Sequence, residues 1–349
     1  MRKPKNVTIK VLARALDLSP QAVSQALNDY EGTVRVSAET RERVRALAAR
    51  WNYRPHAGAR ALRRQTHQNI GFIEVSPPPN SHFLYLISSG VFDAAEENGY
   101  QVTFVRMFGG TTDTQRVPKA LREVQLDAAI VAPSGPDDHD LEQLLGSLNI
   151  PIVRVNTQRP TNAVYPDNRG GSRDITRHLI ESGFRNIAFL HAPAEAPDDT
   201  TLARRAGYEA AMHADGLPPR VIDIGSDALP ASLWARQPLS DAERQMLPDA
   251  FVCSDDFTAL HLFNMLYAAN LRVPDDVAIT GFGDNVYASV SAVPLTTAHV
   301  PYREMGRAAV AVAIDLIGRR DPAAQSPATC LPVAIRIRSS SSRAIRPPT

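Results

Sequence analysis

Residues 8–28, TIKVLARALDLSPQAVSQALN, decide the fold of the amino-terminal part of the chain. Apolar side chains recur with the spacing of one helical face at Ile9, Leu12, Ala13 and Leu16. Thr8 stands in the N-cap position before them. Ser19 and Pro20 then supply an N-cap and a first-turn proline, because the missing N–H of proline costs nothing there. This stretch therefore predicts two short helices joined by a tight connection.

The second predicted helix has an apolar and a polar face. Its inward face carries Ala22, Val23, Ala26 and Leu27. The opposite face carries Gln21, Ser24, Gln25 and Asn28. Short hydrogen-bonding side chains of this kind read base edges in DNA, although a solvated surface helix would show the same pattern.

A third helix and the distribution of charge favour the DNA-reading interpretation. Ser37 is placed to cap this helix, whose buried stripe would be Val44, Leu47, Ala48 and Trp51. Residues 1–64 hold 14 Lys and Arg against 5 Asp and Glu, whereas the other 285 residues hold 24 against 32. A basic segment of this density attracts the phosphate backbone and releases its counterions. The first part of the chain is therefore predicted to be a DNA-binding head.

The segment that follows the third helix makes a family resemblance specific. The head, the run VS-x-x-TR-x-RV from Val36, NYRP from Asn52 and A-R-x-L from Ala59 followed by IGFI resemble the lactose-repressor-type LacI/GalR family of transcription regulators. The resemblance extends along almost the whole chain. It implies a hinge helix that folds on operator DNA, with Leu62 wedged into the minor groove and Ala59 on the same face. A flexible linker over residues 57–64 is the alternative.

The predicted DNA-contacting residues combine the helix pattern with this resemblance. They are Thr8, Pro20, Gln21, Ser24, Gln25, Asn28, Tyr53, His56, Ala59 and Leu62. Gln25 stands where family members often have arginine, and glutamine suits adenine better than guanine. Residues 29–35 make a longer connection than the family pattern, and we expect a loop held away from the DNA.

Strand-like and helix-like segments alternate from Asn69 onward, in two successive sets. The predicted strands are 70–75, 102–105, 128–132 and 152–155 in the first set, and 187–191, 221–224, 251–254 and 277–282 in the second. Such alternation predicts parallel sheets covered by helices on both faces. We therefore predict an all-α helix-turn-helix head and an α/β body of two doubly wound lobes. The resemblance implies the same body, similar to periplasmic sugar-binding proteins.

The predicted domains are a head at 1–54, a hinge at 55–66, a two-lobed effector-binding and dimerisation body at 67–340 and a tail at 341–349. Ligands of such sheets bind at the carboxyl ends of the strands. Polar and aromatic residues that match the family's effector-contacting positions are Phe83, Asn156, Asp167, Arg204, Asp255 and Asp284. An arginine with carboxylates and amides suits a hydroxyl-rich ligand. A helix cap or a surface ion pair is the alternative role for each.

One motif departs from the family pattern. Relatives commonly have GYD or GFD after a strand of the second lobe, where this chain has Gly281-Phe282-Gly283-Asp284. Gly283 lacks the carboxylate that usually holds a sugar hydroxyl. Either Asp284 or Asp255 substitutes for it, or the ligand lacks that hydroxyl.

These features predict a transcription regulator, and a repressor in particular, whose operator affinity responds to a carbohydrate-like effector. We expect a homodimer on a near-palindromic operator, since no heptad repeat follows the last strand. The alternatives are an activator of the same architecture and a solute-binding protein without a DNA function.

Other classes of function lack support in the sequence. Histidines are scattered singly, and no nucleophile, Walker or metal-ligand motif occurs, so we expect no enzyme, cofactor or metal. Cys253 and Cys330 are expected to be free core thiols. The start of the chain has no secretory pattern and no segment has about 18 consecutive apolar residues, so we expect a cytoplasmic protein without a membrane partner.

Overall fold

A computed structural model describes residues 7–28, 36–53, 66–75, 82–107, 121, 123–132, 139–192 and 199–342. The chain divides into two compact units, Met1–His67 and Gln68–Thr349. Most of the predicted hinge lies outside the described residues, so its boundaries remain predictions.

Three helices form the first unit: α1 (Ile9–Leu16), α2 (Pro20–Asn28) and α3 (Ala38–Arg50). The hydroxyls of Thr8, Ser19 and Ser37 each accept a backbone N–H from the first turn of the helix that follows. Leu12, Val23, Val44 and Trp51 pack in one buried cluster. The helices and caps of the head agree with the sequence prediction.

The strands described in the second unit are β1 (Asn69–Val75), β2 (Gln101–Met107), β3 (Ala128–Ala132), β4 (Ile152–Val155), β5 (Ala163–Pro166), β6 (Ile187–His191), β7 (Arg220–Asp223), β8 (Ala250–Cys253), β9 (Ala278–Gly283), β10 (Thr296–His299), β11 (Thr329–Leu331) and β12 (Ala334–Arg336). Its described helices are α4 (His82–Glu97), α5 (His139–Ser147), α6 (Asn168–Glu181), α7 (Asp199–Ala214), α8 (Ala231–Trp234), α9 (Asp241–Gln245), α10 (Asp256–Ala268), α11 (Val286–Val290) and α12 (Tyr302–Arg319). A 3₁₀ turn follows at Ser339–Ser341.

These strands form two six-stranded sheets. The sheet of the first lobe has the order β11-β5-β4-β3-β1-β2, and the sheet of the second lobe has the order β12-β10-β9-β8-β6-β7. The strand pairs in these orders are parallel except β10 with β12. Central strands such as β3 and β8 are buried along their whole length, as sheets covered on both faces require. The predicted fold class is confirmed.

The chain passes between the lobes three times. It crosses after β5, where α6 begins and packs in the second lobe, and after β10, where α12 returns to pack on α4 in the first lobe. It crosses again between β11 and β12. Asp167, at the first crossing, donates its backbone N–H to the carbonyl of Leu331 beside the third. These crossings lie at the carboxyl ends of the strands, the edge at which the sequence analysis places the effector-binding cleft.

The structure corrects several details of the sequence prediction. Near the carboxyl terminus, where the sequence LPVAIRIR from Leu331 predicts one last strand, the chain forms two short strands in different lobes, and β5 was not predicted. Cys253 is buried as expected, but Cys330 is exposed on β11. Within the described residues, no helix is long and apolar enough to cross a membrane.

Candidate functional site

The predicted DNA-reading face of α2 is only partly open. Pro20 and Gln21 are exposed, whereas Ser24 and Gln25 are only 6% and 7% exposed. Helical periodicity correctly placed polar side chains on one face, but it cannot tell what covers that face. The contacts of these residues with DNA therefore remain predictions.

Other predicted DNA-contacting residues have structural roles or lie outside the description. Thr8 caps α1, and Tyr53 packs against the core of the head. Asn28 is the last residue of α2. His56, Ala59 and Leu62 lie outside the described residues.

Arg204 is fixed at the edge of the second lobe that faces the cleft. Its side chain extends from α7, and the residue is 7% exposed. Nε donates to Asn168 Oδ1 at 3.0 Å, and Nη1 donates to the carbonyl of Ser254 at 2.7 Å. The guanidinium carbon lies 4.0 Å from the centre of the Phe282 ring. Arg204 forms no ion pair with a described carboxylate, so neutral groups orient its charge at the cleft.

Asp256, the first residue of α10, is a buried carboxylate close to this arginine in the fold. It is 1% exposed, and its Oδ1 accepts from the hydroxyl of Thr297 at 2.5 Å. Its Oδ2 accepts from the backbone N–H of Asn285 at 2.8 Å. Burial raises the pKa of Asp256 from 3.8 to about 6, although these two hydrogen bonds oppose the rise.

Tyr302 lies where the chain enters α12 from the second crossing. Its ring centre is 5.5 Å from that of Phe83 on α4, so the predicted Phe83 packs against an aromatic residue of the same region. Burial raises the pKa of Tyr302, and the positive charge of nearby Arg204 opposes that rise. Tyr302 thus places its hydroxyl close to Arg204, next to the second crossing.

Asn156 follows β4 with a left-handed φ of 61°. Its Oδ1 is buried and has no hydrogen-bond partner in the described structure. An unpaired buried carbonyl is costly unless a ligand or water donates to it. Of the predicted effector residues, Asn156 offers an acceptor and Arg204 offers the donors.

Asp255 and Asp167 cap helices. Asp255 accepts from the N–H and the hydroxyl of Thr258, at 2.8 Å and 2.9 Å, and from the hydroxyl of Ser254. Asp167 accepts from the N–H of Gly170 at 2.8 Å. Both carboxylates therefore make the contacts of helix caps, which is the alternative role that the sequence analysis gives for them.

Asp284 is engaged by one ion pair and one further hydrogen bond. Its Oδ2 lies 2.9 Å from His299 Nδ1, and its Oδ1 lies 2.7 Å from Arg338 Nη2. Arg338 also donates to the carbonyl of Leu295 at 2.8 Å. Asp284 is consequently a poor replacement for a carboxylate at position 283, because both of its oxygens are already occupied.

Comparison with known proteins agrees with this architecture. A family model described as a periplasmic binding protein-like domain matches residues 176–341. The HTH-type transcriptional regulator RegA of Clostridium saccharobutylicum is 28% identical over 320 residues, which cover 90% of this chain and 93% of RegA. The HTH-type transcriptional repressor PurR of Photobacterium profundum is 28% identical over 316 residues, which cover 89% of this chain and 92% of PurR.

A solved structure matches almost the whole chain. The lac repressor dimer bound to operator and an anti-inducer superposes with a TM-score of 0.76 at 23% identity, covering 97% of this chain and 99% of the repressor chain. These relatives and this fold confirm the resemblance to the LacI family of transcriptional regulators that the sequence motifs indicated.

Two features of this candidate site were missed from the sequence. Asp256 was passed over in favour of its neighbour Asp255, although both are acidic residues after a buried strand. In the first lobe, Glu74 at the end of β1 is buried, and Arg106 Nε on β2 donates to it at 2.5 Å. A charged residue inside the otherwise apolar run IGFIEV was the signal available for Glu74.

Proposed function

We propose that this LacI-family chain is a transcription repressor that binds operator DNA as a homodimer and releases or tightens that DNA in response to a small sugar-like effector. The observation that carries the proposal is one chain that combines a capped three-helix head with a two-lobed body whose cleft holds a fixed, buried arginine. The head supplies DNA affinity, and the cleft supplies the ligand site.

The crossings of the body suit a role in coupling. An effector changes operator affinity only through its different affinities for two conformations of the body. Arg204, Asp256 and Tyr302 lie beside segments that pass between the lobes, so a ligand that contacts them bears directly on the arrangement of the lobes. Loss of operator affinity on binding would make the ligand an inducer, and a gain would make it a corepressor.

An exposed apolar surface favours a second copy of the chain as partner. Phe257, Val286, Tyr287 and Val290 lie on α10 and α11 and are 42–70% exposed. The ring centres of Phe257 and Tyr287 are 6.1 Å apart, so these exposed residues form one continuous apolar surface. The lac repressor of similar fold is a dimer on its operator, and two heads suit a near-palindromic site.

We propose that the protein acts in the cytoplasm and binds its effector without converting it. Apart from the side-chain oxygen of Asn156, the described polar groups of the cleft are held by helix caps, ion pairs and hydrogen bonds to neighbouring groups. Ligand recovered after long incubation with the protein should therefore be chemically unchanged.

The proposal is tested by selecting duplexes from a randomised DNA library on the purified full chain. We expect a near-palindromic sequence to be enriched, with an affinity that falls steeply as salt rises. Gln21→Ala should weaken binding to the selected duplex, whereas Gln245→Ala, in α9 of the second lobe, serves as the matched control. Failure to enrich any sequence over repeated rounds would refute the DNA-binding part of the proposal.

A further inference from the structure

The end of β9 turns through two consecutive residues with positive φ. Gly283 has a φ of 127°, which side-chain-bearing residues rarely adopt, and Asp284 has a φ of 55°. This turn directs the carboxylate of Asp284 to His299 and Arg338. A side chain at position 283 would begin next to Asp256, and glycine leaves that position empty.

The space beside Gly283 borders two polar atoms. A Cβ built on Gly283 would lie 3.4 Å from Asp256 Oδ2 and 3.7 Å from the hydroxyl oxygen of Tyr302. No other described atom beyond the adjoining residues lies within 4 Å of that position. These are ordinary contact distances, so there is room for one further heavy atom at this position.

The carboxylate at this opening lacks a charged partner. Asp256 accepts hydrogen bonds from Thr297 and Asn285, both neutral donors, and forms no ion pair with a described cation. A buried carboxylate gains most from a further donor, because few groups compensate its lost hydration. Asp256 Oδ2 is buried, lies beside the empty position at Gly283 and can accept a further hydrogen bond. It is therefore a favourable acceptor for a donor group of a ligand.

Resting on the function proposed above, we propose that an effector hydroxyl or ammonium group occupies the space beside Gly283 and donates a hydrogen bond to Asp256, next to the hydroxyl of Tyr302. The effector class is then a neutral sugar or polyol, or an amino sugar. A carboxylate or phosphate group placed there would meet the like charges of Asp256 and Asp255 and would be rejected. Arg204 is left to contact a second, accepting oxygen of the ligand.

The same geometry gives binding a definite dependence on pH. Asp256 is faced by Asp255 on its own helix, Asp284 at the end of β9, Tyr302 on α12 and the thiol of Cys253 on β8. Asp284 is itself paired with Arg338 and hydrogen-bonded to His299. Because the pKa of Asp256 is about 6, only about a tenth of the carboxyl is ionised at pH 5. A neutral ligand that donates to the carboxylate should therefore bind about tenfold more weakly at pH 5 than at pH 7.5.

The first experiment is a thermal-shift panel on the full chain with matched carbon skeletons. Glucose, galactose, mannose and xylose, the corresponding polyols, and the available amino, uronic acid and phosphorylated derivatives are each added at millimolar concentration. A ligand that binds the folded body raises its melting temperature. We expect a shift from a neutral or amino member, and none from the derivative in which an acid or phosphate group replaces the hydroxyl that donates to Asp256.

Variants then locate the ligand that the panel identifies. Gly283→Ala should lower its affinity at least about tenfold by filling the opening, whereas Gly318→Ala, which has open space around it, should not. Tyr302→Phe keeps the ring packing against Phe83 and tests the hydroxyl if Gly283→Ala fails to fold. Tyr85→Phe, on an exposed tyrosine, is its control.

Three results would overturn the proposal: a shift given only by acid or phosphate members, no shift across the panel, or equal affinity at pH 5 and pH 7.5. An acidic ligand that binds and still alters operator affinity would refute the ligand class while leaving the regulatory function intact. A neutral sugar that binds without changing operator affinity would refute the regulatory function while leaving the ligand class intact.

Discussion

Arg204 and Arg205 are adjacent in α7 but lie in opposite environments. Arg204 is buried against Phe282, Asn168 and the carbonyl of Ser254, whereas Arg205 is half-exposed and pairs with Glu209 one turn away. We expect Arg204→Ala to abolish the effector's influence on operator binding and to lower the free energy of unfolding by about 2 kcal/mol, because buried acceptors lose their donors.

Arg205→Ala is the matched control for this residue. An exposed i,i+4 ion pair contributes about 0.5 kcal/mol at most, so this variant should keep its stability and its effector response. Urea unfolding and operator binding with and without ligand measure both quantities. Equal behaviour of the two variants would remove Arg204 from the effector site.

Asp256 should make the folded protein relatively more stable in acid. Its pKa is about 6 in the folded protein against an ordinary 3.8, so the folded state binds the proton more tightly. This contribution is fully present below about pH 4 and is lost as the pH rises through about 6. Between pH 4.5 and pH 7.5 the loss is about 2 kcal/mol.

Asp256→Asn cannot titrate and should remove this contribution. The free energy of unfolding of the unmodified protein should fall by about 2 kcal/mol more than that of the variant over the same pH interval, by urea unfolding. Parallel pH profiles for the two proteins would show that the carboxyl of Asp256 is not perturbed by burial.

At the scale of elements, α4 and α12 approach each other through glycine. A Cβ on Gly306 of α12 would overlap the carbonyl of Ile87, and one on Gly90 of α4 would overlap the carbonyl of Arg303. Gly306→Ala should therefore push the helices apart and lower the free energy of unfolding by about 2 kcal/mol. Gly318→Ala, later on α12 in open space, should instead raise it by about 0.5–1 kcal/mol. Urea unfolding of both variants checks the prediction, and changes of the same sign would contradict it.

Element order was readable from the sequence where a pattern is local. Helix caps and apolar periodicity predicted the head, and alternation of strands and helices predicted the two lobes. The short strands β5, β11 and β12 could not be placed, because the lobe that each joins depends on pairing with distant strands, such as β11 with β5.

The residues of the candidate site were likewise predictable only where the signal in the sequence is local. Arg204 was predicted, and it lies on the cleft edge. Asp255 caps α10, whereas Asp256, the next residue, is buried. The backbone geometry at the start of the helix decides which of the two carboxylates is buried, and the sequence does not reveal it. The occupation of Asp284 by Arg338, 54 residues later in the chain, has no local signal at all.

At the scale of the whole molecule, Asp256 connects the candidate effector site to the second crossing and to the proposed dimer surface. Through Thr297 it holds β10 just before the chain crosses to the first lobe. Through Asn285 it holds the residue whose side chain caps α11, the helix that carries the proposed dimer surface. A ligand that pulls on Asp256 thus acts on both the crossing and the dimer contact.

The dimer surface can be tested apart from the cleft. Val290 is 70% exposed at the end of α11, so Val290→Asp should fold normally while placing a charge in the proposed interface. We expect a monomer by analytical ultracentrifugation and at least about tenfold weaker operator binding, because the two heads no longer bind as one unit. Effector affinity should be unchanged. Met246→Asp, also on an exposed apolar residue of the second lobe, is the matched control and should remain dimeric. If Val290→Asp stays dimeric with full operator affinity, α11 is not part of the interface, and a different surface must join the two heads.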